Sequence, residues 1–371
     1  MLALILASLL GFSLFFELIL RISTLCFHFP QGLRHYSAVA RGMKRALYMP
    51  DPHSLYKLRP GRYRIGGLRI TVNEAGFRYS IDPDRAKEEN EIRVLLLGGS
   101  TCFDIDCSDE DSWSNILEDL LRRSLPDSCI HVINGGVPGY TTAEMIPAFA
   151  LRGLQYEADV ILFDQVHNDV NARIVNPSFR ADYTHYRPDC WQFPGNAWLA
   201  GFCQIYGLLR LQFGRKGFTT SVYQMTVRDF DPARYYSHSD AGEQMTRILA
   251  TDTRVFERNL RSLISIARSA GAVPVLATGP LREAASRPAM SLGVKQGNET
   301  VRLLSKSERV PLIDIAEAFP ADPSLFNTPC DPMHLNPEGA RIKGELVAAH
   351  LLPVLESIAD GRRNRDNVNT K

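Results

Sequence analysis

Three side chains of this sequence have the types needed for a proton relay. Ser100 follows Gly98 and Gly99 at the end of the apolar run 92–97, and near the other end of the chain Asp331 stands three residues before His334. A serine hydroxyl is a weak nucleophile until a base takes its proton, and the base needs a third group to fix its tautomer. A carboxylate three residues before a histidine can accept one ring N–H and leave the other nitrogen for the serine. The glycine-serine turn means little alone, because a serine after glycine is common loop chemistry and also caps helices. The pairing of Ser100 with Asp331 and His334 gives it meaning.

These residues need elements that hold them. The run 92–97 has the length and continuous apolarity of a strand buried on both faces, as in a parallel sheet. Gly98 and Gly99 are read as supplying backbone angles closed to other residues, so that the chain turns and leaves Ser100 at the strand's carboxyl end, where ligands bind in open α/β sheets. Behind His334, Asn336 suits an N-cap, Pro337 the first helical position and Glu338 the first turn. Two further strand patterns, 131–133 and 158–163, each run into a polar loop, the first into Asn134-Gly-Gly-Val-Pro-Gly139 and the second into His167-Asn168-Asp169. Three loops are therefore expected on one edge of one sheet.

The order Ser, Asp, His is shared with the α/β-hydrolases, but their G-x-S-x-G elbow is not met, because Cys102 stands two residues after Ser100. The chain instead resembles the SGNH hydrolases, the GDSL-like esterase and lipase superfamily, through four ordered blocks: Gly98-Gly99-Ser100, the glycine block ending at Gly139, Val166-His167-Asn168-Asp169, and Asp331-x-x-His334. Gly99 stands where the family name has Asp, and Val166 where Gly is usual. The resemblance covers about 92–352 apart from an insertion. It implies a three-layer α/β/α fold of the flavodoxin-like kind with a mainly parallel sheet, Ser100 as nucleophile, His334 as base, and Asp331 as the group that orients it. It also implies an oxyanion hole made by the backbone N–H groups of Ser100 and Gly139 and the side-chain amide of Asn168. The implied activity is hydrolysis of a carboxylic ester, with the substrate a small-molecule, lipid or glycan ester. Transfer of the acyl group to a surface glycan, or an inactive binding module on the same fold, stay open.

The remaining sequence sets the organisation. Residues 1–20 are almost wholly apolar, with Glu17 the single charge, and form a transmembrane anchor or a signal peptide; the missing basic n-region and cleavage pattern favour the anchor. Arg21, Arg34, Arg41, Lys44 and Arg45 would keep the body cytoplasmic by the positive-inside rule, whereas similar anchored members of the family are exported; the second argument is adopted. Residues 21–91 form a juxtamembrane region containing Asn73-x-x-Gly76-Phe77-Arg78, for which Phe77 is read as packing and Arg78 as packing or an anion contact. The hydrolase domain is placed at 92–358, with an aromatic-rich insertion at 170–250 that is either a lid or a satellite core, and a disordered tail at 359–371.

A net charge of +1 and no basic stripe argue against a nucleic-acid partner. No cofactor motif is present. His167 invites a metal reading with Asp331 and His334, but no third histidine has a ligand's spacing, and no metal is expected. Seven cysteines, an odd number without C-x-x-C pairs, leave Cys102 as a weaker rival nucleophile.

Overall fold

The computed structural model describes residues 1–23, 26, 47–174, 179–186, 199, 202–213, 240–283, 286–328 and 331–369, and at residues 2–4, 50, 210–213 and 364–369 the backbone alone. The chain divides into two units, one of residues 1–56 with 187–230, the other of 57–186 with 231–371.

The first unit opens with the helix α1 (Leu2–Ile22), whose residues 5–22 are long and apolar enough to cross a membrane. Two short strands, β1 (Tyr48–Asp51) and β2 (Leu55–Leu58), pair with each other, and the rings of Tyr48 and Tyr56 meet edge to face. The unit's other described helix, Gln204–Phe213, rests on α1. There the single acid of the apolar helix is satisfied: Glu17 accepts hydrogen bonds from the backbone N–H groups of Gln204 at 2.8 Å and Ile205 at 2.9 Å and pairs with Arg21 at 2.8 Å. A carboxylate at a helix N-terminus meets unpaired N–H groups and a favourable dipole.

The second unit carries the sheet. After the antiparallel ribbon β3 (Gly61–Ile65) and β4 (Leu68–Val72) comes β5 (Glu91–Gly98), all eight residues of which are buried. It lies between β6 (Cys129–Asn134) and β7 (Val160–Asp164), followed by β8 (Val273–Ala277) and β9 (Leu312–Ile313). All four pairings are parallel, and the order β6-β5-β7-β8-β9 is the flavodoxin-like one, with its switch point between β5 and β7. In that register Gly98 lies opposite Asp164, so the loops leaving β5 and β7 start side by side.

Helices cover both faces because a parallel sheet connected by crossovers is buried twice. The short helix α2 (Ser100–Phe103) follows β5, and α3 (Trp113–Ser124) packs against the last helix, α10 (Pro337–Asn369). Trp113, Leu117 and Leu121 meet Val347, Leu351 and Leu355 over Ile92, Val94 and Leu96 of β5. Between these elements in the chain lie α4 (Thr142–Leu151), α5 (His167–Ile174), α6 (Ala241–Ala250), α7 (Arg254–Ser269), α8 (Pro288–Glu308) and α9 (Ile315–Ala318). On the second face Phe149 of α4 meets Phe163 of β7 edge to face, and α7 packs on α4 and β8.

Two expected boundaries move. Residues 359–369 are helical, as the continuation of α10, and not disordered: Ala359 is buried, and Arg362 donates to the carbonyl of Glu91 at 2.5 Å and pairs with Asp159. A polar tail reads as disordered only if nothing receives it, and here the start of β5 does. The insertion expected at 170–250 contributes both its ends to the main unit. Tyr183 and Tyr186 are buried there, His185 Nε2 donates to the carbonyl of Ala172, and Arg173 ties α5 to the end of α6. Trp191, Phe193, Trp198, Tyr223, Tyr235 and Tyr236 of that aromatic-rich insertion lie outside the described residues.

Candidate active site

Ser100 opens α2 directly at the carboxyl end of β5. The two glycines before it are required for room and not for left-handed angles: Gly99 has φ −92°. A Cβ at Gly98 would lie 2.2 Å from the carbonyl oxygen of Asp164, and one at Gly99 2.4 Å from Nδ2 of Asn168. The Gly98-Gly99-Ser100 turn is thus pressed against the loop after β7. The left-handed angle falls instead at Gly139, with φ +83°, where the second block turns before the capping box of Thr141 and Glu144 starts α4.

His334 and Asp331 arrive from the far side of the chain. Asn336 caps α10 as its sequence suggests, accepting from Gly339 N–H at 3.0 Å, and the bridge between Phe326 and Leu335 fixes the strand before it. Asp331 Oδ1 accepts the backbone N–H groups of Met333 and His334, both at 3.0 Å, and its Oδ2 lies 2.8 Å from His334 Nδ1. His334 Nε2 lies 2.8 Å from Ser100 Oγ. Residues 234 positions apart therefore form one continuous chain of hydrogen bonds, Asp331 to His334 to Ser100. Burial works against the Asp331 carboxylate, but the charge of His334 and these N–H donors hold it at about 2. Burial likewise works against the protonated ring of His334, and the charge and hydrogen bond of Asp331, followed by Asp106 and Asp104, outweigh it and raise the ring above its ordinary value.

The third and second blocks meet at the same place. Asn168 donates one amide hydrogen to the carbonyl of Tyr140 at 2.8 Å while its nitrogen faces Gly99. Asp169 accepts from Thr142 Oγ1 at 2.5 Å and from Gln165 at 2.9 Å, which locks the loop after β7 to the start of α4. No hydrogen bond among the described residues uses the backbone N–H of Ser100 or of Gly139. The site thus places the Ser100 hydroxyl, in contact with His334, beside N–H donors at the switch point of the sheet.

His167 does not join His334 and Asp331: it is buried, its Nε2 lies 3.0 Å from the carbonyl of Pro280, and burial pulls its ring down to about 4. Arg78 is no anion contact. Its fully buried guanidinium pairs with Asp109 and donates to the carbonyls of Phe103, Asp104 and Cys107 at 2.6, 2.7 and 2.6 Å, while Phe77 stacks on Tyr156 as packing. Cys102 is buried behind the turn, and burial drives its thiol well up, so it is no rival to Ser100. Cys330 lies outside the described residues.

Sequence reasoning missed Lys343. Its ammonium, 1% exposed, lies 2.6 Å from Asp164 Oδ2, donates to the carbonyl of Thr101 at 3.1 Å, and sits 4.3 Å from the centre of the Trp113 ring. It joins α10, the end of β7 and the turn that bears Ser100. The available signal was its place on the buried stripe with Ala340, Val347 and Leu351, where a lysine needs a partner.

The GDSL-like Lipase/Acylhydrolase family matches residues 96–342, a span that takes in Ser100, Gly139, Asn168, Asp331 and His334. The chain belongs to that family. This GDSL-like hydrolase also resembles solved structures of the family at low identity. A putative lipolytic protein of the G-D-S-L family from Desulfitobacterium hafniense is 14% identical over 70% of this chain and 99% of its own, with a TM-score of 0.42. A lipase/acylhydrolase from Enterococcus faecalis is 15% identical over 71% and 96%, with a TM-score of 0.42. A mutant of an acetyl-xylooligosaccharide esterase from Geobacillus is 14% identical over 70% and 94%, with a TM-score of 0.42. No curated protein matches the chain.

Proposed function

We propose that this GDSL-like hydrolase cleaves a carboxylic ester through an acyl-enzyme formed on Ser100, and that α1 anchors it to a membrane. His334 takes the proton of Ser100 as the hydroxyl attacks the ester carbonyl, then delivers it to the leaving alcohol; Asp331 holds the ring so that Nε2 faces the serine. Water next enters and attacks the acyl carbon as it loses a proton to His334, and the acid leaves as His334 returns that proton to Ser100 Oγ. The N–H groups of Ser100 and Gly139 and the amide of Asn168 receive the negative oxygen of each tetrahedral intermediate, a term worth roughly 10²–10³ in kcat per donor.

The observation that carries this reading is the chain of two 2.8 Å contacts joining Asp331, His334 and Ser100 at the carboxyl edge of the sheet. A neutral ring kept in one tautomer by a deeply ionised carboxylate is the state that can take a serine's proton. The membrane part rests on the apolar stretch 5–22 of α1. An acetylated glycan or a lipid ester is the substrate class this reading favours, because an anchored hydrolase meets such surface esters.

The test is labelling of the purified protein with a fluorophosphonate probe, alongside turnover of short-chain p-nitrophenyl esters. Labelling that disappears in Ser100→Ala and His334→Ala supports the reading. Labelling that persists in folded Ser100→Ala rejects the nucleophile assignment.

A further inference from the structure

The relay described above uses one carboxylate, but a second faces the same ring. Asp106 lies in the loop that follows α2, six residues after Ser100. A carboxylate oxygen of Asp106, one of Asp331 and a ring nitrogen of His334 all lie within 4.8 Å of one another. Asn327 lies beside the Asp106 side chain, and its backbone N–H donates to the carbonyl of His334 at 3.0 Å. The loop itself is tightly held. Asp104 takes a left-handed conformation with φ +65° and accepts the backbone N–H of Trp113 at 2.9 Å, while Arg78 grips the carbonyls of Phe103, Asp104 and Cys107.

We propose that Asp106 is a second carboxylate of the relay, a positioning residue that acts through His334 by stabilising its protonated ring while the acyl group is transferred. The inference rests on the reading of Ser100 and His334 given above. Asp331 Oδ1 is already occupied by two backbone N–H groups, which draw on the charge it can offer the ring. Asp106 has no such pair of backbone donors among the described hydrogen bonds. The charges around the ring can be counted by element. Asp331 comes from its own turn, Asp104 and Asp106 from the loop after α2, and His167 from the start of α5 is uncharged through burial. Lys343 of α10 is neutralised by Asp164 at 2.6 Å and Arg78 by Asp109 at 3.0 Å. The surroundings of His334 are therefore net negative, and Asp106 follows Asp331 as the next carboxylate favouring its charged form. Burial and the neighbouring Asp331 push the Asp106 carboxyl up, and the charge of His334 pulls it down, so the two groups stabilise each other's ions.

The rival account is that Asp106 only pins the loop through Asn327. Asp106→Asn separates the two, since an amide keeps a hydrogen-bonding group there and loses the charge. The measurement is the titration of His334 by NMR of the ¹³C/¹⁵N-histidine-labelled full chain in detergent, with kcat/KM for p-nitrophenyl acetate followed over the same pH range. In Asp106→Asn the His334 midpoint drops by about 1 pH unit, the order expected for loss of an opposite charge at this range, and the acid limb of kcat/KM moves down with it. KM stays unchanged, and Asp106→Glu returns the midpoint towards wild type. A folded Asp106→Asn protein whose His334 midpoint does not move overturns the proposal, and Asp106→Ser serves the same titration where the asparagine variant does not fold. If the midpoint moves but Ser100→Ala retains turnover, the relay reading has failed and the proposal falls with it.

Discussion

Replacing Lys343 with methionine removes one charge from a pair that is 1% and 2% exposed and leaves Asp164 buried at the end of β7 without its 2.6 Å partner. Truncating one member of a buried ion pair costs about 3–5 kcal/mol, because the remaining charge keeps its desolvation penalty. A net hydrogen bond to the carbonyl of Thr101 goes as well, about 1 kcal/mol by itself and not additive with the first term. Lys343→Met should therefore lower unfolding stability by about 3–5 kcal/mol, read from denaturant midpoints at constant slope. Trp113 fluorescence reports the same event locally, since the ammonium lies 4.3 Å from its ring centre. The double variant Asp164→Leu/Lys343→Met should recover most of the loss, because replacing both ions by apolar groups is often neutral. A single variant destabilised by less than about 1 kcal/mol, the size of an exposed pair, would refute the reasoning. So would a double variant no better than the single one.

Ser100→Ala should abolish ester turnover with unchanged thermal melting, and Asn168→Ala should lower kcat by roughly 10²–10³, both read with p-nitrophenyl acetate. Gly99→Ala should cost at least about 10² in kcat, because its Cβ would sit 2.4 Å from the Asn168 amide, and a crystal structure of the variant should show that amide displaced. In the relay proposed above activity needs the neutral ring of His334, so kcat/KM should fall as pH drops through a midpoint above the ordinary histidine value, a direction set by Asp331 against burial. The linked stability has opposite signs for the two partners. The raised His334 contributes stability that is full below its unfolded value and lost as pH rises through the folded one, whereas Asp331, held at about 2, contributes stability present above its ordinary range and lost as pH falls towards 2. Unfolding midpoints measured on both sides of neutrality and in acid check these directions.

The sheet was legible because its strands declare themselves locally. The apolar run before Gly98 and the pattern before His167 both mark strands buried on two faces, and each polar block follows closely on its strand. Asp331 and His334 were legible because the helix start behind them is written in Asn336, Pro337 and Glu338. What escaped depends on contacts between distant segments. Arg78 is explained by carbonyls 25 to 29 residues away, and Lys343 by an aspartate 179 residues away, and no local pattern encodes either. Gly98 and Gly99 were identified correctly as necessary but for the wrong cause, since the sequence suggests backbone angles while the constraint is the neighbouring loop. The end of α10 was missed because its polar residues find partners on β5 and at Asp159.

The 2.8 Å contact between Ser100 and His334 also has a timetable. The two residues are 234 apart, and at roughly 5–20 residues per second of synthesis the histidine is made about 10–50 s after the serine. Until then the strand that bears Ser100 can fold only against earlier elements, with Trp113 and Leu117 of α3 uncovered where α10 will lie. A growing chain therefore carries Ser100 without its histidine on an unfinished layer. Packing of the layer and the meeting of Ser100 with His334 are one event, completed with the last helix.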